Sequence, residues 1–153
     1  MSSDMKGSIK KPALSYGLVA IQFLAMAGML LSADWIALNV WGLMQLAGAL
    51  LAIWAVLTMH LGRFNIVPDP RPDGVLVQTG PYRWIRHPMY ASLLYVFFPM
   101  TVTHASFETS VLFGVLVFDL LIKLHYEEQL LINRFTDYVD YQRRTQRLIP
   151  YLY

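Results

Sequence analysis

One short segment of the chain combines two cations, a histidine, two prolines and three aromatic rings. It reads Gly80-Pro81-Tyr82-Arg83-Trp84-Ile85-Arg86-His87-Pro88-Met89-Tyr90. Pro88 suits the first position of a helix, where its missing N–H costs no hydrogen bond, and His87 would then take the cap position. The free N–H groups of that helix start, together with Arg86, offer a site for an anionic group such as a carboxylate. The segment therefore predicts a polar binding site at the beginning of a helix.

Acidic side chains that could also take part in a binding site follow later in the chain. Glu127 and Glu128 are adjacent, and neighbouring residues on a helix point about 100° apart. We therefore expect one glutamate to contact a ligand and the other to bind an arginine. Asp119 and Lys123 lie four residues apart within an apolar stretch, so they can neutralise each other on one helix face. Mutual pairing is the favoured interpretation, and a role in proton relay or substrate binding is the alternative.

Composition indicates that these residues belong to a membrane protein. Hydrophobic residues make up 56% of the 153 residues and charged residues only 14%, which is too apolar for an ordinary soluble domain. The length allows a single domain, residues 1–153, without a separate soluble catalytic module. The absence of cysteine excludes disulfides, thiolate metal sites and a cysteine nucleophile. A net charge of +2 gives no indication of a nucleic-acid partner.

Four apolar stretches are candidates for membrane-spanning helices, which need about 20 residues each. They cover residues 13–31, 36–59, 89–103 and 105–124. The first could instead be a signal peptide, although no clear small-residue cleavage site follows it. The third is short and contains Pro99, which predicts a kinked or incompletely spanning helix. Helical periodicity continues beyond the fourth stretch to Phe135.

These elements predict an all-α integral membrane protein with about four transmembrane helices in two hairpins. A proline-rich loop, residues 60–88, joins the hairpins, and a helical tail covers residues 125–153. Of the 12 Lys and Arg residues, three precede the first helix, four lie in this loop and five follow from Lys123 onward. The positive-inside rule therefore predicts a multi-pass protein with both termini, the loop and the active site in the cytoplasm.

Two separated motifs carry a family resemblance. The string LVQTGPYRWIRHPMY, residues 76–90, is followed after one apolar hairpin by Glu127-Glu128 and then by Phe135, Tyr138, Tyr141 and Arg147-Leu148-Ile149-Pro150. In order and spacing, these motifs resemble the superfamily of isoprenylcysteine carboxyl methyltransferases and phospholipid methyltransferases. The similarity covers roughly residues 60–150, whereas the first two helices match only as generic membrane spans.

The resemblance implies an integral membrane enzyme that transfers a methyl group from S-adenosylmethionine and releases S-adenosylhomocysteine. It implies catalytic roles for Arg86, His87 and Glu128. It also implies a cofactor site lined by Tyr82, Arg86, His87, Pro88, Tyr90, Glu127 and Glu128. Tyr138 and Tyr141 are expected to pack the tail or to lie in the interfacial aromatic belt rather than to contact a ligand. The single histidines elsewhere lack metal-ligand spacing, so we predict no metal site.

The chemistry of methyl transfer leaves the acceptor open. A carboxylate acceptor needs no general base, whereas a thiol or amine must lose a proton, for which His87 or either glutamate is a candidate. A membrane-embedded enzyme favours a lipophilic or amphipathic acceptor that arrives through the bilayer. The competing hypothesis is a small, non-catalytic membrane scaffold or transporter subunit, in which the arginines set topology and the aromatic residues lie at the interface. The oligomeric state is not predicted.

Overall fold

The computed structural model describes residues 12–32, 36–59 and 75–150. Within these ranges the protein is all-helical, with α1 Pro12–Ser32, α2 Val40–Met59, α3 Pro88–His104, α4 Phe107–Arg134 and α5 Tyr138–Arg144. A 3-10 turn, Gly80–Arg83, precedes α3. Two segments are long and apolar enough to cross a membrane, Ala13–Ser32 and Val40–Met59. The prediction of an all-helical protein is confirmed for the described part of the chain, whereas residues 60–74 of the predicted loop lie outside it.

The start of α2 differs from the predicted one because side chains accept hydrogen bonds from backbone N–H groups there. The predicted second helix started at residue 36, but α2 begins at Val40. Asn39 Oδ1 accepts a hydrogen bond from the backbone N–H of Trp41 at 3.0 Å, which is the behaviour of a helix cap. Ala37 precedes the helix, and its N–H donates to Oε1 of Gln45, which lies within α2, at 2.8 Å. A count of apolar residues cannot detect these hydrogen bonds, so the predicted start was wrong by four residues.

The second half of the chain follows the helix signals more closely. α3 begins at Pro88 with His87 at its cap position, as predicted, and Pro99 lies inside the helix. α4 begins at Phe107 because Ser106 and Thr109 form a reciprocal capping box. α4 continues past the predicted membrane-spanning stretch, residues 105–124, to Arg134, as the periodicity predicted.

Helix packing pairs elements that are distant in the sequence. The main contacts run between α1 and α4 and between α2 and α3, and a smaller contact joins α3 to α4. Gly48 permits the approach of α2 to α3, because a Cβ atom at this position would lie 2.9 Å from Tyr95 Cβ and 3.0 Å from the carbonyl oxygen of Ser92. Gln45 Nε2 also donates to the carbonyl of Val96 at 3.3 Å. Apolar packing and a few polar contacts thus hold α2 against α3.

A buried charge pair lies where α1 meets α4. Lys123 Nζ is 3.5 Å from Asp119 Oδ2, and the two side chains are 1% and 2% exposed. Lys123 also donates to Oε1 of Gln22 on α1. The predicted pairing of Asp119 with Lys123 is confirmed, and the polar group of Gln22 explains how a lysine is accommodated between two apolar helices.

Candidate active site

Arg86 joins three parts of the chain. Its Nε donates to Glu128 Oε1 on α4 at 2.6 Å, and the two side chains are 7% and 5% exposed. Its Nη1 donates to the carbonyl oxygens of Gln142, at 3.1 Å, and Thr145. Because a buried guanidinium is costly unless it is paired and hydrogen-bonded, these contacts fix the segment before α3 against α4 and the tail.

Backbone hydrogen bonds hold the tail along the same segment. The N–H of Arg86 donates to the carbonyl of Gln146 at 2.8 Å, and that of His87 donates to the carbonyl of Arg147 at 3.0 Å. Ile85 and Gln146 form an isolated parallel β-bridge. We call residues 141–147, which make these contacts, the tail latch. The latch gives the segment before α3 a fixed backbone although it is not itself helical.

Side chains of the tail latch add to this attachment. Tyr141 Oη donates to the carbonyl of Tyr82 at 2.6 Å. Arg147 Nε donates to Glu128 Oε2 at 3.2 Å, so this carboxylate binds two arginines. Tyr141 and Tyr138 are both buried, so both pack the tail, while the Oη of Tyr138 has no partner within the described residues and is able to contact a ligand as well.

Gly80 shapes the start of this segment. Its φ of 57° lies in the left-handed region that glycine adopts most easily. A Cβ atom at this position would also collide with the side chain of Thr58 on α2. Tyr82 and Arg83 therefore follow a turn that only glycine can make without strain.

His87 lies between the two glutamates. Its Nε2 is 3.5 Å from Glu128 Oε1, and its Nδ1 is 3.6 Å from Glu127 Oε2. The imidazole stacks on Tyr90 with the ring centroids 5.5 Å apart and an interplanar angle of 7°. Tyr90 Oη in turn donates to Glu127 Oε2 at 2.9 Å. The two predicted motifs therefore form one buried cluster of an arginine, a histidine, a tyrosine and two carboxylates.

The charges in this cluster stabilise one another. Burial alone would raise the pKa of Glu128, but the contacts with His87 and Arg86 lower that pKa to about 2. Burial would likewise lower the pKa of His87, but the contacts with Glu127 and Glu128 outweigh it and raise the pKa above its usual value. Glu128 is therefore ionised near neutral pH, and its negative charge favours the protonated form of His87.

These shifts predict a stability maximum at mildly acidic pH. The contribution of Glu128 is present above its ordinary pKa of 4.5 and is lost as the pH falls towards about 2. The contribution of His87 is present below its ordinary pKa of 6.5 and is lost as the pH rises through its elevated value in the folded protein. Thermal unfolding of the purified protein across this pH range will show both losses. Glu128→Gln will remove the acidic loss and His87→Gln the alkaline one, and unchanged profiles in these variants would contradict the assignment.

Two buried hydroxyl groups at the cluster have no hydrogen-bond partner within the described ranges. They are Tyr82 Oη and Tyr138 Oη. Burial raises the pKa of both tyrosines, so their hydroxyl groups remain protonated donors. Because buried polar groups are nearly always hydrogen-bonded, two unpaired hydroxyls in one region are typical of a site that receives a polar ligand.

An apolar cavity lies on the other side of the same segment. Its volume is about 350 Å³, and it lies between α2, the 3-10 turn and α3. The residues that line it include Leu50, Leu51, Trp54, Pro81, Trp84 and Tyr95. Pro81 and Trp84 face this cavity, whereas Arg86 belongs to the polar cluster and the carbonyl of Tyr82 accepts a hydrogen bond from Tyr141. One short segment thus separates an apolar compartment from a polar one.

The structure brings into contact five of the seven residues that the sequence assigned to the cofactor site. Arg86, His87, Tyr90, Glu127 and Glu128 are in contact, while Tyr82 and Pro88 are buried in the same segment. Glu128 is confirmed as the glutamate that binds an arginine. The assignment of Glu127 to a cofactor remains a prediction.

Sequence reasoning missed the tail groups that complete the site. Arg147 belongs to a recognised tail motif, but nothing in the sequence indicates that Glu128 is its partner. The backbone carbonyl groups of Gln142 and Thr145 cannot be recognised as acceptors from the sequence, because every residue has a backbone carbonyl. Only the folding of the tail onto the segment before α3 makes them acceptors for Arg86.

The order of these parts along the chain can be compared with known proteins. The sequence model of the isoprenylcysteine carboxyl methyltransferase (ICMT) family matches residues 35–133. The chain belongs to this family. A comparison with curated proteins gives no significant match. The ICMT match includes Arg86, His87 and both glutamates but ends before the tail latch. Membership of the ICMT family implies a membrane-integral methyltransferase.

Proposed function

We propose that the protein is a methyltransferase that uses S-adenosylmethionine and modifies a lipophilic or amphipathic acceptor. The observation that carries this proposal is the joining of the Arg86-His87 corner to Glu127-Glu128 in one buried cluster, with Arg86 Nε only 2.6 Å from Glu128 Oε1. A topology signal or a simple membrane anchor has no need of such a cluster. Family membership supports the same conclusion.

The residues of the cluster suit the cofactor chemically. S-adenosylmethionine combines a cationic sulfonium, an amino-acid group, ribose hydroxyls and an aromatic base, so its site needs carboxylates, hydrogen-bond donors and aromatic rings. Glu127 has a carboxylate that is 26% exposed, and Tyr82 and Tyr138 have unpaired hydroxyls. The aromatic faces of Tyr90 and His87 stack beside them. We assign these residues to the cofactor, with Arg86 and Glu128 as the buried support beneath them.

Catalysis by these residues consists of binding, orientation and the exclusion of water. The bound cofactor supplies an electrophilic methyl group, so the protein needs no covalent nucleophile. Glu127 and the tyrosine hydroxyls orient the polar groups of the ligand, and the tail latch shields the site from water. For a thiol or amine acceptor, Glu128 would be a poor base because its pKa is about 2. Glu127 would then accept the proton, because Glu128 favours the protonated form of His87.

The cavity beside the cluster supports a lipophilic acceptor. Leu50 and Trp54 of α2 line it and are 57% and 46% exposed, so its wall adjoins the surface that α2 would present to lipid. We propose four membrane crossings, with α3 and the first part of α4 joining α1 and α2. α3 has 17 residues and extends about 25 Å, which is slightly short for a bilayer core. Both termini and the polar cluster then lie in the cytoplasm, where the cofactor is available.

Calorimetric titration with S-adenosylhomocysteine tests the proposal. The wild-type protein in detergent will bind the product, whereas Glu127→Gln will bind it about tenfold more weakly because a charge-assisted hydrogen bond becomes a neutral one. Asp140→Asn is the matched control, because Asp140 is an exposed carboxylate whose partner is Arg143. Absence of binding by folded wild-type protein would favour the scaffold hypothesis.

A further inference from the structure

Hydrogen bonds hold α5 and the tail latch against the segment before α3. The N–H of Arg86 donates to the carbonyl of Gln146 at 2.8 Å, and the N–H of Gln146 donates back to the carbonyl of Trp84 at 3.0 Å. The exposed Arg144 adds a side-chain hydrogen bond to Gln78. Each such bond contributes little net free energy, because water takes its place when it breaks. Contacts of this kind can therefore open without unfolding of the helices around them.

Both ends of this part of the chain are held in other ways. Before it, residues 135–137 connect α4 to α5, and Asp137 makes no side-chain hydrogen bond that would cap α5. After it, Leu148 is buried in an apolar cluster with Ile85, Ala91 and Leu124. We call residues 138–147, which are α5 and the tail latch together, the strap. Hydrogen bonds hold the middle of the strap, whereas the chain itself and apolar packing hold its ends.

Arg86 contacts both the strap and the fixed part of the protein. Its Nε donates to Glu128 on α4 at 2.6 Å, while its Nη1 donates to the carbonyls of Gln142 and Thr145 in the strap. Arg147, whose side chain is 36% exposed, is the other link from the strap to Glu128. When the strap moves away, the ion pair of Arg86 with Glu128 stays intact and water reaches Nη1. Opening therefore leaves no buried charge without its counter-ion, which would be costly.

Two tyrosine hydroxyls connect the position of the strap to a ligand. Tyr138 is the first residue of the strap, and the carbonyl of Tyr82 accepts a hydrogen bond from Tyr141 of the strap. The hydroxyls of Tyr138 and Tyr82 are buried without a partner in the described part of the chain. Closure without a polar ligand thus leaves two donors unpaired, whereas a ligand that accepts from them removes this cost. Such a ligand favours the closed strap because it interacts more strongly with that state.

We propose that the strap opens and closes as one unit and forms the entrance through which the cofactor passes between the cytoplasm and the polar cluster. Arg86 is the fixed catch on which the strap closes. The strap closes over bound S-adenosylmethionine, and S-adenosylhomocysteine leaves when it opens. An entrance here lies apart from the apolar cavity on the other side of the segment before α3. This inference rests on the proposed function only in naming the ligand.

A reversible cross-link tests whether the ligand passes the strap. The chain has no cysteine, so Gln78→Cys with Arg144→Cys introduces the only two thiols, at side chains that are in contact across the edge of the strap. A short bis-methanethiosulfonate reagent joins the two thiols, and dithiothreitol separates them. The protein is loaded with tritiated S-adenosylhomocysteine, cross-linked and diluted into unlabelled product. Release is expected to be at least about tenfold slower than after reduction.

A second pair of thiols controls for the reagent. Asp140→Cys with Arg143→Cys is the matched pair, because both side chains are exposed and contact each other within α5. A cross-link there leaves the strap free, so release is expected to be unchanged. Equal release from the cross-linked and the reduced forms of the Gln78 and Arg144 pair would overturn the proposal. Equal slowing in the control pair would overturn it as well.

Hydrogen exchange tests the opening without any ligand. The backbone N–H groups of Arg86, His87 and Gln146 are expected to exchange at one common rate, and faster than those in the middle of α4. Saturating S-adenosylhomocysteine is expected to slow this exchange about tenfold or more, and Tyr141→Phe, which removes the hydrogen bond to Tyr82, to speed it about fivefold. Exchange as slow as that of α4 in the free protein would show that the strap does not open.

The two measurements separate this inference from the proposed function. If the folded parent protein binds no S-adenosylhomocysteine, the proposed function fails and so does the strap as a cofactor entrance, while hydrogen exchange still supports or rejects the opening. If the product binds and leaves at one rate whether or not the strap is tied, only the strap proposal fails.

Discussion

Replacing Glu128 with alanine will lower the free energy of unfolding by about 3–5 kcal/mol and abolish the binding of S-adenosylhomocysteine. The carboxylate is the buried counter-ion of Arg86 and also binds Arg147, so its removal leaves a buried guanidinium without a neutralising charge. Denaturant titration in mixed micelles measures the first effect, and calorimetry of the remaining folded protein measures the second.

A compensating double variant separates stability from function. Arg86→Met combined with Glu128→Leu replaces the ion pair with apolar side chains of similar volume and is expected to recover most of the lost stability. It will still fail to bind the product, because Arg86 no longer fixes the tail latch against the cluster. Asp140→Ala is the surface control and should change the unfolding free energy by less than about 0.5 kcal/mol. Product binding by the double variant would show that the pair is dispensable for the site.

Replacing Asp119 with alanine will also lower the free energy of unfolding by about 3–5 kcal/mol. Here the loss arises at the contact between α1 and α4 and not at the candidate site. Lys123 is 1% exposed, and without Asp119 its ammonium group keeps only Gln22 as a partner between apolar helices. Unfolding in micelles will show the loss, and α1 is expected to detach first because Gln22 links it to Lys123. Protection of α1 from proteolysis at its ends measures this detachment.

An apolar double variant again identifies the role of the pair. Asp119→Leu with Lys123→Met is expected to fold, to retain α1 against α4 and to bind S-adenosylhomocysteine as the wild type does. This outcome assigns the pair to helix packing. Stable protein that has lost product binding or methyl transfer would instead assign the pair to a proton relay or to substrate binding.

Periodicity and local signals predict much of the fold. Proline at the first helical position correctly placed the start of α3, and sustained periodicity indicated that α4 continues past the apolar stretch to Arg134. The start of α2 could not be predicted from hydropathy, because it depends on two side chains: Asn39 accepts from the N–H of Trp41, and Gln45 accepts from the N–H of Ala37. Local rules work where the determinant lies within one helical turn.

The site was predictable as a set of residues but not as an arrangement. The two motifs named Arg86, His87 and the glutamates, and their chemistry implied mutual contact. That Glu128 rather than Glu127 binds Arg86 depends on the rotation of α4 about its axis, which the sequence does not specify. The apolar cavity depends on the pairing of α2 with α3, so no local pattern predicts it.

The tail latch has a consequence for how the protein is made. Arg86 and the carbonyl of Thr145 are separated by 59 residues, so the arginine leaves the ribosome well before its acceptor. At a synthesis rate of about 5–20 residues per second, the delay is roughly 3–12 s. Until Glu128 follows, 42 residues after Arg86, the arginine must stay hydrated near the lipid head groups, since its counter-ion has not yet been made. The hydrogen bonds of Arg86 are therefore completed last, after the helices that precede the tail latch have been synthesised.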